Sequence, residues 1–294
     1  MVKQLTFVML CITFILFLGL ETFSNNTVAN PIDVTEGERD LYLNIITSNK
    51  IQYEMVKEIV KDKHNVEYIV IGEEDSKNFE FNDEIINNIS NMDLFLYTGS
   101  IIEPWSSSLI SKLNKSNLGT INTIRGIRSV ITQVENRNVD NPYVYAGLEE
   151  YKVILYNIKL AIQDKDPKNR DLYEKNYNDT ISALTEAIEE IKKDKKDLSE
   201  YQYIALDDNL DYFYRSLGLN TIKVGKDKTI AQVVAENKLD PAKVLVLKDI
   251  KTELKEDGFR VINLQSYAEN LTIEDMIINN YRTFYDFIEK KESK

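Results

Sequence analysis

Oxygen-bearing side chains gather in the segments that follow the predicted strands of this chain. The acidic residues in these segments are Asp75, Glu80, Asp207, Asp208 and Asp249. Carboxylates can bind Mn²⁺, Ca²⁺ or Mg²⁺ through oxygen alone, and a pair such as Asp207 and Asp208 can in principle perform acid–base chemistry. Acidic pairs are ordinary surface features of a chain with a net charge of −12. We therefore predict that the protein is not an enzyme.

Nitrogen and sulfur ligands are nearly missing from the sequence. His64 is the only histidine, and Cys11, the only cysteine, lies in an apolar N-terminal run. Zinc sites are built mainly from Cys and His, so the usual zinc site cannot form. His64 precedes the second predicted strand and is expected at the surface. Ser-His and Cys-His catalysis are excluded on the same ground.

The elements that must position these residues alternate between strand and helix. β-branched and aromatic runs predict strands at residues 41–47, 66–72, 93–99, 120–124, 129–134, 201–206, 221–224, 243–248 and 260–264. Apolar residues at helical spacing predict helices at 51–60, 82–89, 103–113, 148–163, 209–217, 230–238, 251–257 and 272–291. Residues 73–81 are predicted as a polar loop and 135–147 as an irregular connector. Such alternation predicts parallel sheets with helices on both faces.

A long helix over residues 166–198 is predicted to join two α/β lobes. Its apolar positions recur every three or four residues along one stripe: Tyr173, Tyr177, Ile181, Leu184, Ile188 and Ile191. At 1.5 Å per residue it would extend roughly 45 Å, more than one small domain needs. Asp166 is predicted to cap its start, and both tyrosines to be buried against a lobe. We thus predict a first lobe at 41–146, connecting helices at 147–198 and a second lobe at 199–294.

The N-terminus is typical of an exported protein. Residues 5–20 form an uncharged apolar run after Lys3, about the length of a secretory signal. We predict a signal peptide or an uncleaved anchor at 1–24, with cleavage after Ser24, and a polar tether at 25–40. Lipid attachment at Cys11 is not expected, because Leu10 precedes it. The acidic net charge excludes nucleic acid as a partner.

In open α/β sheets ligands bind beyond the carboxyl ends of the strands, so the cleft between the lobes is the predicted binding site. The segment 72–105, GEEDSKNFEFNDEIINNISNMDLFLYTGSIIEPW, resembles the solute-binding proteins of zinc and manganese ABC transporters. The segments DKDPKNRDLYEKNYNDTISAL and ALDDNLDYFYRSLGL resemble two further stretches of that family. The resemblance covers about residues 41–288. It implies a monomeric two-lobed protein on the outer side of the cell membrane or in the periplasm, which delivers a solute to a membrane permease.

The ligand positions that this resemblance implies are Lys77, Tyr143, Asp207 and Lys248. The family binds Zn or Mn with histidines and a carboxylate, so here the ligand set is replaced and no metal or other cofactor is expected. Secondary cleft contacts are expected from Asp75, Glu80, Trp105, Asp208 and Asp249.

Three interpretations of the replaced site remain open. Lys77 and Lys248 could pair with Asp207 and hold the cleft shut, or they could bind an anion with Tyr143 as a donor. The third interpretation is an eroded site with solvated loop residues. The predicted function is an exported solute-binding protein with a replaced metal site. The alternatives are a structural or adhesive surface protein, and a binder of a small anionic solute.

Overall fold

The structure is a computed structural model that describes residues 40–135, 137–193, 197–225, 227–268 and 271–289. The predicted signal or anchor segment 1–24, with Cys11 and the cleavage position, lies outside the described residues, as does the tether except for residue 40. From Tyr42 onward the described residues belong to one compact unit. Within these ranges, no helix is both long enough and apolar enough to cross a membrane.

The first lobe is built on a parallel sheet of four strands in the order β2-β1-β3-β4. Its strands are β1 (Asn44–Asn49), β2 (Asn65–Val70), β3 (Leu94–Tyr97) and β4 (Gly119–Asn122). The helices are α1 (Lys50–Val60), α2 (Glu73–Lys77), α3 (Asp83–Ser90) and α4 (Ser106–Lys112). Asn49 and Asn82 cap α1 and α3, because each side-chain oxygen accepts a backbone N–H three residues further on, at 3.0 Å in both. These strands and three of these helices confirm the predictions within a few residues.

The prediction of a polar loop at 73–81 is wrong, because α2 lies there. The first turn of α2 consists of Glu73, Glu74 and Asp75, and Lys77 lies in its last turn. Acidic side chains stabilise the positive N-terminal end of a helix, and basic ones the negative C-terminal end. The segment lacks an apolar stripe, which is the signal on which the prediction depended.

A separate antiparallel hairpin follows β4. It consists of β5 (Ile131–Val134) and β6 (Arg137–Asp140). A strand at 129–134 was predicted, but it does not join the first sheet, and the predicted irregular connector contains β6. The hairpin is anchored on the second lobe, since Thr132 Oγ1 donates to Asp208 Oδ2, and Asn141 Nδ2 donates to the Asp208 carbonyl at 2.8 Å.

Two helices connect the lobes. A 3₁₀ turn (Val144–Ala146) leads into α5 (Leu148–Lys165), and a second 3₁₀ turn (Pro167–Asn169) leads into α6 (Arg170–Ile191). The 22 residues of α6 extend about 33 Å, so the interlobe helix is shorter than predicted. Tyr173 is buried as predicted, whereas Tyr177 is only partly buried.

Asp166 does not cap the helix through a backbone N–H. Its carboxylate instead accepts hydrogen bonds from Tyr173 Oη and from Asn169 Nδ2, the latter at 2.9 and 3.1 Å. His64 belongs to the same group, and its predicted surface position is wrong: it is only 3% exposed. Its Nδ1 accepts the Leu43 N–H at 3.2 Å, and its Nε2 lies 2.6 Å from Tyr173 Oη. His64 thus joins the start of the first lobe to the interlobe helix.

The second lobe repeats the architecture of the first. Its parallel sheet has the order β10-β9-β7-β8, with β7 (Gln202–Ala205), β8 (Thr221–Lys223), β9 (Val244–Asp249) and β10 (Arg260–Leu264). The helices are α7 (Asp211–Ser216), α8 (Ile230–Glu236) and α9 (Ile273–Glu289). The helix predicted at 251–257 is wrong, because those residues form turns and irregular chain. The other predicted elements of this lobe are confirmed.

One hydrophobic core runs through both lobes and the connecting helices. Its largest fully buried side chains include Tyr151, Tyr173, Phe213, Tyr281 and Phe284. Smaller cores cover the outer face of each sheet, around Phe95 in the first lobe and Val246 in the second. The predicted two-lobed α/β fold is therefore confirmed.

Candidate functional site

The segments after the parallel strands of the two lobes meet at one cleft. Glu73 follows β2 of the first lobe, and Asp207 follows β7 of the second. Tyr143, from the connection between the lobes, donates its hydroxyl to Glu73 Oε2 at 2.8 Å. Its ring meets Tyr145 edge to face, which meets Tyr267 in the same way, both at centroid distances of 6.4 Å. Burial first, and then Glu73, Asp208 and Asp207, raise the pKa of Tyr143, so its phenol stays protonated among these carboxylates.

Lys77 does not reach the second lobe. Its ammonium lies 2.6 Å from Glu73 Oε1, one helical turn earlier on α2, and its side chain is half exposed. The hydrogen bond to Glu73 raises the pKa of Lys77. The interpretation in which Lys77 pairs with Asp207 is therefore wrong.

Lys248 is also engaged elsewhere. It is 8% exposed, and its ammonium donates to the main-chain carbonyls of Asp249 at 3.1 Å and Thr252 at 2.6 Å. Successive side chains of a strand point to opposite faces, so Lys248 and Asp249 lie on different sides of β9. The ammonium holds the turn after β9, and the proposed pair with Asp207 is wrong here too.

Asp207 presents one engaged and one unengaged carboxylate oxygen. Its Oδ2 accepts the Asp249 N–H at 2.7 Å and the Thr252 hydroxyl at 3.1 Å. Its Oδ1 is buried and has no hydrogen-bond partner within the described ranges. Burial raises the pKa of Asp207, although the two hydrogen bonds oppose this. A buried acceptor without a donor is costly, so this oxygen marks a place where a ligand would be favourable.

Sequence reasoning missed Lys223, whose ammonium contacts acidic side chains after β7 in the second lobe. Its ammonium lies 2.9 Å from Asp208 Oδ1 and contacts Asp211 Oδ1 directly. Burial favours a higher pKa for Asp208, but hydrogen bonds from Thr132 and Lys223 outweigh it and lower that pKa. The sequence could have indicated Lys223 through its position at the end of a predicted strand. In the structure that strand pairs with β7, and Ala205 is the register partner of Lys223.

The remaining predicted contacts are dispersed. Asp249 is fully buried, and its Oδ1 accepts the Lys251 N–H at 2.9 Å. Asp75 and Glu80 are exposed. Trp105 is buried in the smaller core of the first lobe, where its ring meets Phe79 at a centroid distance of 4.8 Å.

Glu103 is the centre of a buried hydrogen-bond network in the first lobe. It is 1% exposed and accepts five hydrogen bonds. Oε1 accepts from Ser48 Oγ (2.5 Å), Asn49 Nδ2 (2.8 Å) and Gln52 Nε2 (3.3 Å), and Oε2 accepts from the backbone N–H groups of Thr98 (3.0 Å) and Gly99 (2.9 Å). The carboxylate therefore fixes the loop after β3 against the end of β1.

The cleft offers oxygen atoms and no imidazole or thiolate. Across the described parts of the chain, no three His, Cys, Asp or Glu side chains converge as a ready metal site. Four carboxylates lie near Tyr143 and Tyr145, namely Glu73, Asp207, Asp208 and Asp249. Lys77 pairs with one of them, Glu73, and the Lys248 ammonium is bound by main-chain carbonyls. Such surroundings attract a positively charged ligand and repel an anion.

The architecture is that of two-lobed metal-binding proteins of solved structure. The periplasmic metal binding protein from Candidatus Liberibacter asiaticus superposes with a TM-score of 0.66 at 17% identity, over 84% of this chain and 99% of that one. The solute-binding protein FpvC from Pseudomonas aeruginosa, solved with Mn²⁺, gives a TM-score of 0.66 at 18% identity, over 85% and 100% of the two chains. These similarities show the fold.

Comparison of the sequence identifies the family of the chain. The profile of the family described as zinc-uptake complex component A, periplasmic, matches residues 45–289, so the chain belongs to this family. It is 23% identical over 265 residues to the high-affinity zinc uptake system protein ZnuA of Bacillus subtilis (strain 168), covering 86% of this chain and 79% of the relative. It is 27% identical over 255 residues to the metal ABC transporter substrate-binding lipoprotein FimA of Streptococcus parasanguinis, covering 78% and 80%.

Proposed function

We propose that the protein is an exported, monomeric solute-binding subunit of an ABC importer. It captures a solute between its lobes and presents it to a membrane permease. The observation that carries this proposal is the family match over residues 45–289, since the family is described as a zinc-uptake component and FimA as a metal ABC transporter substrate-binding lipoprotein. The family description also reads periplasmic, and FimA is described as a lipoprotein, which supports a location outside the cytoplasm.

We further propose that Tyr143 and Asp207 contact the solute, together with Glu73, which sequence reasoning had not singled out. The solute is a cation held through oxygen atoms, because Asp207 Oδ1 has no donor among the described residues and carboxylates surround the tyrosines. Hard divalent cations such as Mn²⁺ accept such ligands, whereas Zn²⁺ prefers nitrogen and sulfur. Tight zinc binding is therefore lost. The alternative of a small anionic solute has no support, because Lys77 and Lys248 are engaged elsewhere.

The solute class is tested by thermal unfolding of the purified protein. We expect Mn²⁺ at about 1 mM, the range of weak oxygen-ligand sites, to raise the melting temperature of the wild type but not of Asp207→Ala. The matched control is Glu84→Gln, a change at an exposed carboxylate, which should respond like the wild type. A rise with micromolar Zn²⁺ would contradict the loss of the zinc site. A rise with phosphate would contradict the charge assignment.

The transport role is tested separately, by reconstituting the permease and its ATPase in liposomes. A solute-binding subunit should stimulate ATP hydrolysis in a solute-dependent manner. A structural or adhesive surface protein would leave hydrolysis unchanged, and that result would overturn the proposal.

A further inference from the structure

Three oxygen atoms surround the ammonium of Lys223, two from the loop after β7 and one from the first residue of α7. The main-chain carbonyl of Asp207 accepts from Nζ at 2.6 Å, Asp208 Oδ1 lies at 2.9 Å, and Asp211 Oδ1 is in direct contact. We call these three atoms the oxygen cage. Lys223 reaches it because β8 runs parallel to β7 with Ala205 and Lys223 in register, so both strands end at the same edge.

The composition of the oxygen cage is that of a cation site. Two carboxylates and a main-chain carbonyl from one short segment are the ligand types that hard cations take. An ammonium carries three N–H donors, and each cage atom can accept one of them. Lys223 thus donates hydrogen bonds to two atoms of the cage and forms an ion pair with the third.

The neighbouring elements hold the cage in place without adding another positive charge to it. Thr132 from the hairpin donates to Asp208 Oδ2. Asn141 donates to Asp211 Oδ2 at 3.3 Å and to the Asp208 carbonyl at 2.8 Å. The second oxygen of each carboxylate is therefore occupied by a neutral donor, and the oxygen facing Lys223 remains for a cation.

A second feature of the same region is the buried side chain of Tyr214. Tyr214, on α7, is 1% exposed, and its hydroxyl has no hydrogen-bond partner within the described ranges. Burial first, and then the carboxylates of Asp207, Asp211, Asp249 and Asp208, raise the pKa of Tyr214. The Lys223 ammonium lies 5.8 Å from the centre of the Tyr214 ring. This part of the second lobe therefore contains a buried polar atom, the Tyr214 hydroxyl, that Lys223 does not satisfy.

We propose that Lys223 is a built-in cation that occupies a cation-binding oxygen cage, and that its removal creates a site for a divalent metal ion. In the wild type, the Lys223 ammonium supplies the positive charge beside the carboxylates of the cage. Because this cation is part of the chain, its placement does not cost the translational entropy that binding a free ion would cost. This inference goes beyond the proposed function, since it holds whichever solute the cleft takes.

The test uses Lys223→Met, which keeps the length of the side chain and removes its charge. The matched control is Lys228→Met, because Lys228 lies on the same lobe in an exposed pair with Glu236 at 2.5 Å. In chelator, we expect the melting temperature of Lys223→Met to fall below those of the wild type and the control. Addition of Ca²⁺ or Mn²⁺ to ten times its dissociation constant should raise it by about 3–6 °C more than either.

A double variant locates the ion. Asp208→Asn combined with Lys223→Met removes one cage carboxylate, and its extra response to Ca²⁺ should disappear. If Lys223→Met gains no larger response than the wild type, or the double variant responds as strongly, the proposal is overturned. If Lys223→Met is isolated unfolded, refolding from urea replaces the melt: recovery with Ca²⁺ but not with chelator supports the proposal, and failure in both contradicts it. All readouts concern the purified protein, so they are independent of the transport assay.

Discussion

The buried carboxylate of Glu103 gives the sharpest prediction. Glu103→Gln keeps the shape of the side chain but replaces one oxygen by an NH₂ group. All five partners are donors, so either orientation of the amide places hydrogens against at least two N–H or O–H groups. Each buried donor left unsatisfied costs about 1–3 kcal/mol, and the remaining bonds lose their charge assistance, which is worth about 1 kcal/mol each.

The expected loss in the free energy of unfolding is about 3–5 kcal/mol, similar to breaking one side of a buried charge network. Urea denaturation measures it, and at an m value of about 3 kcal/mol/M the midpoint should fall by 1 M or more. The control, Glu84→Gln on the exposed face of α3, should stay within about 0.5 kcal/mol. A loss of less than about 1 kcal/mol for Glu103→Gln would refute this account of the carboxylate.

Two further predictions concern charges on the second lobe and the connecting helices. Burial raises the pKa of Asp207 above its unfolded value near 3.9, so the contribution of this group to stability becomes more favourable as the pH falls from 7 toward 4. Asp207→Asn should therefore be more stable than the wild type at pH 7, and melts across this range should show the difference shrinking on acidification; a constant difference would contradict the cause. The ammonium of Lys159 is buried between the rings of Tyr156 and Tyr177, at 4.5 and 4.6 Å. The same ammonium pairs with Glu174 Oε2 at 2.7 Å. Lys159→Met should cost about 1–2 kcal/mol in urea denaturation, whereas Lys175→Met, in an exposed pair, should cost less than about 0.5 kcal/mol; equal effects would contradict a stabilising role of the buried ammonium and its contacts.

Sequence patterns predicted most of the elements because local physics determines them. The β-branched runs became strands, and Asn82 became the N-cap of α3. Helix α2 was missed because it has no apolar stripe. It is favoured by acidic residues at its N-terminal end and a lysine at its C-terminal end, which interact favourably with the helix dipole.

The candidate site was less predictable, because side-chain partners depend on three-dimensional neighbours. The family resemblance implied that Lys77 and Lys248 occupy ligand positions. In the structure Lys77 pairs with Glu73 on the same helix, and Lys248 donates to main-chain carbonyls of the turn after β9. His64 looked like a surface residue because its partners Asp166 and Tyr173 lie about 100 residues away in the chain. The role of Lys223 could not be predicted without knowing that β7 and β8 are neighbours in the sheet.

The hairpin has a consequence for the order of folding. Thr132 and Asp208 are separated by 76 residues, and the carbonyl of Arg128 and its donor Arg215 by 87. During synthesis, β5 and β6 leave the ribosome well before α7 exists, while the first sheet already has its four strands. The contacts between the hairpin and the second lobe cannot form until the second lobe is synthesised. Forming them closes a long loop, which costs conformational entropy. The hairpin can therefore reach its partners only after residues 208–215 of the second lobe have been synthesised.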